Sequence, residues 1–449
     1  MFDSSFNSKS IHRRDALRAT LGGLLGISSC GWLPGIASAL EASNATRKRH
    51  CILLWMSGGP SQIDTFDMKP NHGNGGEFKE LQTTVPGLRF SEHLPILAQH
   101  AEELAILRGV NTREGDHARG TYLMRTGQTP GSPTRFPTIG SSISKELNND
   151  EINLPNYVSI NPTPQIRPDA FGPGFLGPRY AAATVGASQG LQPPNQQQPE
   201  TGFARLQVDN LTLPDSISAQ QVQKRRELWD MLQTSFSEKR QAGVIQSQDT
   251  VYRKAMELMT SDEVEAFDLT SESDAVRESY GRGRFGQGCL IARRLIERGV
   301  PFVEVSLGEG LGWDTHQDNF DLVRGLSQQL DQGWGTLMTE LKSRNLLEDT
   351  TILWMGEFGR TPQINERRGR DHFPNAWTCV LAGGGIQGGQ AFGSTTKDGM
   401  EVADGKVSEG DVLATFCQAA GIDPETENVE AAGRPHKIAE GTPIDKVLA

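Results

Sequence analysis

Two acids and a histidine crowd into residues 314–318 as Asp314, His316 and Asp318, within the stretch WDTHQDNF. Carboxylates and imidazoles are the side chains that hold divalent ions, and the two-residue spacing lets an extended segment turn Asp314 and His316 to one side. A hydrogen-bonded loop is the competing reading, with Asp318 capping the helix that follows. Asp371 and His372 form a second group in GRDHFPNAW, where they either bind an ion or pair with Arg368 or Arg370. An imidazole in each group suits a transition metal such as zinc. Glu357, in MGEFGRTP, either ligates as well or pairs with Arg360 three residues on. Asp116, His117 and Arg119, in GDHARGTYLMRTG, stand where a helix would begin, and the free N–H groups of such a start favour anions. His117 can serve there as a ligand, a base or a nucleophile, or be structural.

These groups need a scaffold that gathers them. Short β-rich runs at 51–56, 105–110, 157–160, 301–307, 351–355 and 377–382 alternate with amphipathic helices. The alternation predicts an α/β fold with a mostly parallel central sheet and helices on both faces. Ligands of such sheets sit outside the carboxyl ends of the strands. The runs ending near 56, 307 and 355 would therefore deliver acids and a histidine to one edge. Residues 161–215, with QGLQPPNQQQPE, break the pattern and read as a Pro- and Gln-rich surface insertion. Residues 219–298 read as largely helical and 318–346 as one long helix. The stretch Gly281 to Gly286 fits GxGxxG, but no strand precedes it, so a dinucleotide site is not expected.

The chain has 449 residues, 36% hydrophobic and 22% charged, which suits one large globular domain at 40–449. Residues 1–39 read as an export signal: paired Arg13 and Arg14, a mildly apolar Gly-rich stretch, then Ala37-Ser38-Ala39. The arginine pair resembles a twin-arginine signal, which addresses a folded protein to the periplasm or the extracellular space. Ile27-Ser28-Ser29-Cys30 offers lipid anchoring at Cys30 as the alternative to cleavage. Removing residues 1–39 takes away four basic and two acidic residues, moving the formal net charge from −11 to −13. An acidic surface argues against nucleic acid as a partner. The four cysteines beyond the signal lack any CxxC spacing and read as buried structural residues, and no other stretch is apolar enough for a transmembrane segment. The oligomeric state is not legible.

Taken in order, GGPSQIDTFD, WDTH, GEFGRTP and GRDHFPNAW resemble the family called domain of unknown function 1501 (DUF1501), an exported branch similar to the alkaline phosphatase and sulfatase superfamily. The resemblance runs from about His50 to Ala449. It implies an alkaline-phosphatase-like fold and divalent metals, zinc with or without magnesium or calcium. Asp314, His316, His372 and Glu357 match the superfamily's ligand positions, with Asp371 beside them and Asp64 or Asp67 supplying a further carboxylate. Two departures stand out. Phe358 follows Glu357 where relatives carry a ligand histidine, and counting back from Gly127 puts His117 where they carry a Ser, Thr or Cys nucleophile. A formylglycine mechanism is excluded by that histidine.

The resemblance implies a metal-dependent hydrolase of phosphate or sulfate esters acting on a small anionic substrate. In that reading His117 is a ligand, a base or a nucleophile, and Arg119 or Arg360 balances developing negative charge. The alternative is a non-catalytic, metal-stabilised binding or scaffold protein of the cell envelope.

Overall fold

The computed structural model describes residues 49–186, 202–208, 218–237, 252–253, 255–259 and 261–449. The expected export signal, the lipidation alternative at Cys30 and the whole of QGLQPPNQQQPE lie outside them. Eight strands form the central sheet: β1 (His50–Met56), β2 (Leu104–Val110), β3 (Tyr157–Ile160), β4 (Ala183–Val185), β5 (Phe302–Leu307), β6 (Thr350–Met355), β7 (Trp377–Gly383) and β8 (Gln390–Phe392). Their order is β8-β2-β7-β6-β1-β5-β3-β4. All neighbours run parallel except β7, which is antiparallel to both β2 and β6. The sheet is thus α/β and mostly parallel, as the alternation predicts.

The sequence of β1, HCILLWM, shows why it takes the centre. Every residue is buried, and the period of two divides them: Ile52, Leu54 and Met56 enter one core, while Cys51, Leu53 and Trp55 enter the other. Helices α2 (Arg284–Glu297) and α3 (Asn319–Ser343) pack on the first face; α4 (Glu409–Ala419) and the helix Ile139–Glu146 pack on the second. In α3 the buried positions Phe320, Val323, Leu326, Leu330, Trp334, Leu337 and Leu341 recur every three or four residues, the period of one helical face. The four described cysteines are buried and free.

Three expectations need correction. Residues 161–215 are not wholly an insertion, because the β-branched pair Thr184 and Val185 lets 183–185 join β3 as a parallel edge strand. Asp318 stands at the start of α3 in the left-handed region (φ 51°), but its side chain makes no capping bond. Carbonyls of Arg367 and Arg368 instead accept the N–H groups of Asp318 and Asn319, at 3.2 and 3.1 Å. Strand β7 delivers residues to the site from its amino end, since its reversal puts that end at the carboxyl edge of β1, β2, β5 and β6. Among the described residues no helix is long and apolar enough to cross a membrane.

Candidate metal centre

Five connections meet at the carboxyl edge of the sheet. The turn after β1 carries Ser57, Gly58 and Gly59, and the loop after β2 leads into α1 (His117–Thr126). Asp314 and His316 follow β5, while Glu357 and Arg360 follow β6. A short hairpin pairs Gly359–Arg360 with His372–Phe373 just before β7. Gly58 is locally obligatory: at φ 108° a Cβ would stand 2.6 Å from the backbone nitrogen of Asp314.

The centre is one oxygen. Asp314 Oδ1 lies 3.3 Å from His117 Nε2, 3.1 Å from His316 Nε2, 3.2 Å from His372 Nε2 and 2.5 Å from Arg360 Nη1. The His316 and His372 Nε2 atoms are themselves 3.1 Å apart. Each ring is turned the same way, because its other nitrogen meets an acceptor: Glu357 Oε1 for His117 (2.7 Å), Asp371 Oδ1 for His316 (2.8 Å) and the Gly115 carbonyl for His372 (2.7 Å). Those partners put a proton on Nδ1 in all three and leave the three Nε2 atoms directed at one carboxylate. Three Nε2 atoms and one carboxylate oxygen this close together form a donor set that a cation can share.

The donor chemistry fits a metal. Ligand atoms of His117, Asp314 and His372 all lie within 4.8 Å of one another. Two atoms there are buried without a satisfying hydrogen bond, His117 Nε2 and Glu357 Oε2, and buried polar atoms are seldom left so. Three imidazole nitrogens with one carboxylate oxygen suit zinc better than magnesium or calcium, which take oxygen ligands.

Without an ion, the acids around the cluster favour a proton on His117. Burial pulls the His117 imidazole down, but hydrogen bonds and charge from Asp314 and Glu357 outweigh it and raise its pKa to about 9. Burial pushes Asp314 up, yet bonds from His117 and His372 and the nearby Arg360 guanidinium hold it well below the usual carboxylate range. The hydrogen bond from His316 does the same to Asp371. Arg360 is fully buried; besides Asp314 it donates to the carbonyl oxygens of Gly58 and, at 2.9 Å, Gly59. It therefore clamps the β1 turn onto Asp314 rather than pairing with Glu357.

Side-chain exposure rises across the cluster, from 12% for His117 through 22% for Asp314 and 27% for His372 to 41% for His316. The open side is that of His316 and the exposed Asp371. On the closed side the buried Phe358 ring stands 5.0 Å from the His117 ring and 4.8 Å from that of His372.

Not every expected residue arrives at the cluster. Asp64 is buried in a two-pronged ion pair with Arg370 (2.8 and 3.0 Å) and also accepts from Asn319, so Arg370 is taken there and not by Asp371. Arg370 further donates to carbonyls of Thr361, Pro362 and Asn74, which ties the GGPSQIDTFD segment to the loop ahead of His372. Asp67 is bound by Lys69 and Thr395. Asp116 caps α1, accepting from the Arg119 N–H at 3.0 Å. Arg119 is half exposed and paired with Glu114. Sequence reading missed the Gly58 N–H that donates to Glu357 Oε1 (2.9 Å) and the Gly115 carbonyl behind His372. The glycine pair after β1 was the available signal for the first; a backbone carbonyl leaves none.

The chain matches, over residues 48–448, the model of the family described as "Protein of unknown function (DUF1501)". No curated protein matches it. Among solved structures it is similar to Ps i-CgsB in complex with k-i-k-neocarrahexaose (15% identity, 88% of this chain and 75% of that one, TM-score 0.40). It is also similar to the PsFucS1 sulfatase from Pseudoalteromonas sp. (13%, 88% and 72%, 0.39). A third is the alkaline phosphatase from the Antarctic bacterium TAB5 (11%, 83% and 98%, 0.34).

Proposed function

The chain belongs to the DUF1501 family, and we propose that it is a metal-dependent hydrolase of phosphate or sulfate esters. The observation that carries this reading is the convergence of three imidazole Nε2 atoms on one oxygen of Asp314. In it His117, His316, His372 and Asp314 hold one divalent ion, zinc by the donor set. When bound, such an ion supplies a Lewis acid for the ester oxygen and an acidified water.

The chain's own groups do the rest. Glu357, Asp371 and the Gly115 carbonyl keep the three rings from rotating, so the donors need no reorganisation. Arg360 stops the Asp314 carboxylate from turning away and sets positive charge beneath the site. Phe358 keeps water from the back of His117 and His372. The ester enters from the His316 side, the exposed one. We place this activity outside the cytoplasm, with residues 1–39 as the export signal, on the strength of the Arg13–Arg14 pair and Ala37-Ser38-Ala39.

The test is metal analysis of the purified protein together with a panel of phosphomonoesters, phosphodiesters and sulfate esters. Bound zinc and turnover of at least one class are expected. Chelation should lower the melting temperature, since an ion at 100 times its Kd stabilises the native state by about 2.7 kcal/mol. His372→Ala should lose metal and turnover together, and excess zinc should restore part of both. Metal-loaded protein that turns over none of the panel would leave the scaffold reading in its place.

A further inference from the structure

We infer that Glu357 is a positioning residue acting on the metal through the His117 ring, and not a ligand. This rests on the proposed metal centre and assigns one acid within it.

The two nitrogens of an imidazole point away from each other. Glu357 Oε1 sits 2.7 Å from Nδ1 of His117, so it lies across the ring from Nε2, the atom that faces Asp314 at 3.3 Å. A carboxylate behind a ligating histidine fixes its tautomer and orientation and makes the far nitrogen a better donor. The other two rings show the same construction with different acceptors, an exposed carboxylate for His316 and a backbone carbonyl for His372. Only His117 has an acceptor that is both charged and buried.

Glu357 is built to stay in that place. Its Oε1 also accepts the Gly58 N–H at 2.9 Å, and Gly58 is itself packed on the Asp314 backbone. Below it lies Gly120, one turn along α1 from His117, where a Cβ would meet the Glu357 carbonyl oxygen at 3.1 Å and its Cβ at 3.3 Å. The absence of a side chain at 120 lets α1 approach β6 closely enough for the His117–Glu357 bond. His117 is the first residue of α1, so its backbone is set by the Asp116 cap. Three neighbours thus fix the acid and the ring together. The competing assignment is direct ligation through Glu357 Oε2, which has no hydrogen-bond partner.

A double-mutant cycle on the full chain separates the two, with zinc affinity read by chelator competition. Glu357→Ala should weaken zinc binding by roughly 10- to 100-fold, the range for losing such a partner. Glu357→Gln should lose clearly less, because an amide oxygen still accepts the Nδ1–H. In the His117→Ala background, Glu357→Ala should add no more than about a twofold loss, the limit of independence between sites. Melting curves of the metal-free variants identify any that fail to fold, and Glu357→Gln keeps the residue's shape. Equal losses for Gln and Ala, with the full Ala effect persisting in the His117→Ala background, would overturn the inference in favour of ligation. Wild-type protein that takes up no zinc would strike at the metal centre itself.

Discussion

Two carboxylates supplied by one strand, β5, live in opposite circumstances. Glu304, in the middle of β5, receives Arg125 Nη1 at 2.8 Å on one oxygen, and Arg125 Nη2 at 2.7 Å and the Tyr157 hydroxyl at 2.8 Å on the other. Arg125 gives its Nε–H to the Ala170 carbonyl and lies 3.9 Å above the Phe171 ring. Both oxygens of the carboxylate receive donors. Asp314, just past the end of the same strand, has four nitrogens crowding a single oxygen, while nearby Glu357 Oε2 has none. The Glu304 group is complete without any visitor and holds α1 to the sheet. The Asp314 group, by contrast, is the donor set on which the proposed metal centre rests.

Breaking the complete network should cost the most stability. Glu304→Ala leaves the Arg125 guanidinium buried without its partner, and unfolding in denaturant should show a loss of about 3–5 kcal/mol. If the comparison holds, folded protein of this variant keeps its zinc affinity.

An intermediate case sharpens the contrast. Asp331 of α3 is buried and accepts backbone N–H groups of Ile96 and Leu97 at 2.8–3.0 Å, and among the described residues no cation pairs with it. Burial outweighs those bonds and raises its pKa from 3.8 to about 6. The native state therefore binds the extra proton between these values. The contribution of the neutral acid is fully present below pH 3.8 and is lost as pH rises through about 6. By pH 7 the loss should reach roughly 2–3 kcal/mol. Comparing wild type with Asp331→Asn from pH 4 to 7 should show the difference in unfolding free energy moving against the wild type over that window. A pH-independent difference would show that backbone dipoles alone hold the charged form.

The smallest effect is expected at Arg119. Its pair with Glu114 is half exposed and solvated, so Arg119→Ala should leave zinc affinity and turnover unchanged within error. A large loss of turnover would bring this arginine back as the balance for substrate charge.

Much of the scaffold was legible because it is local. The apolar run at 51–56 and the helical pattern of 318–346 are properties of neighbouring residues, and they located β1 (50–56) and α3 (319–343) to within three residues at each end. Tight spacing likewise pointed to Asp314 with His316 and to Asp371 with His372, while the family resemblance singled out His117 by its distance from Gly127. What spacing could not show was which oxygen faces which nitrogen. Asp64 looked like a spare ligand until the fold set Arg370, 306 residues away, against it. Asp116 and Arg119 looked reactive because they flank His117, yet a helix start sends successive side chains to different sides.

The sequence by itself therefore determined an α/β sheet and an inventory of imidazoles and acids at the ends of its strands, since periodicity and residue type act over a few residues. Only the tertiary structure decided that β7 runs backwards to bring in His372, that Asp314 is the hub and that Glu357 stands behind His117. Those facts depend on pairings between segments hundreds of residues apart, whose geometry is set by packing across the whole sheet.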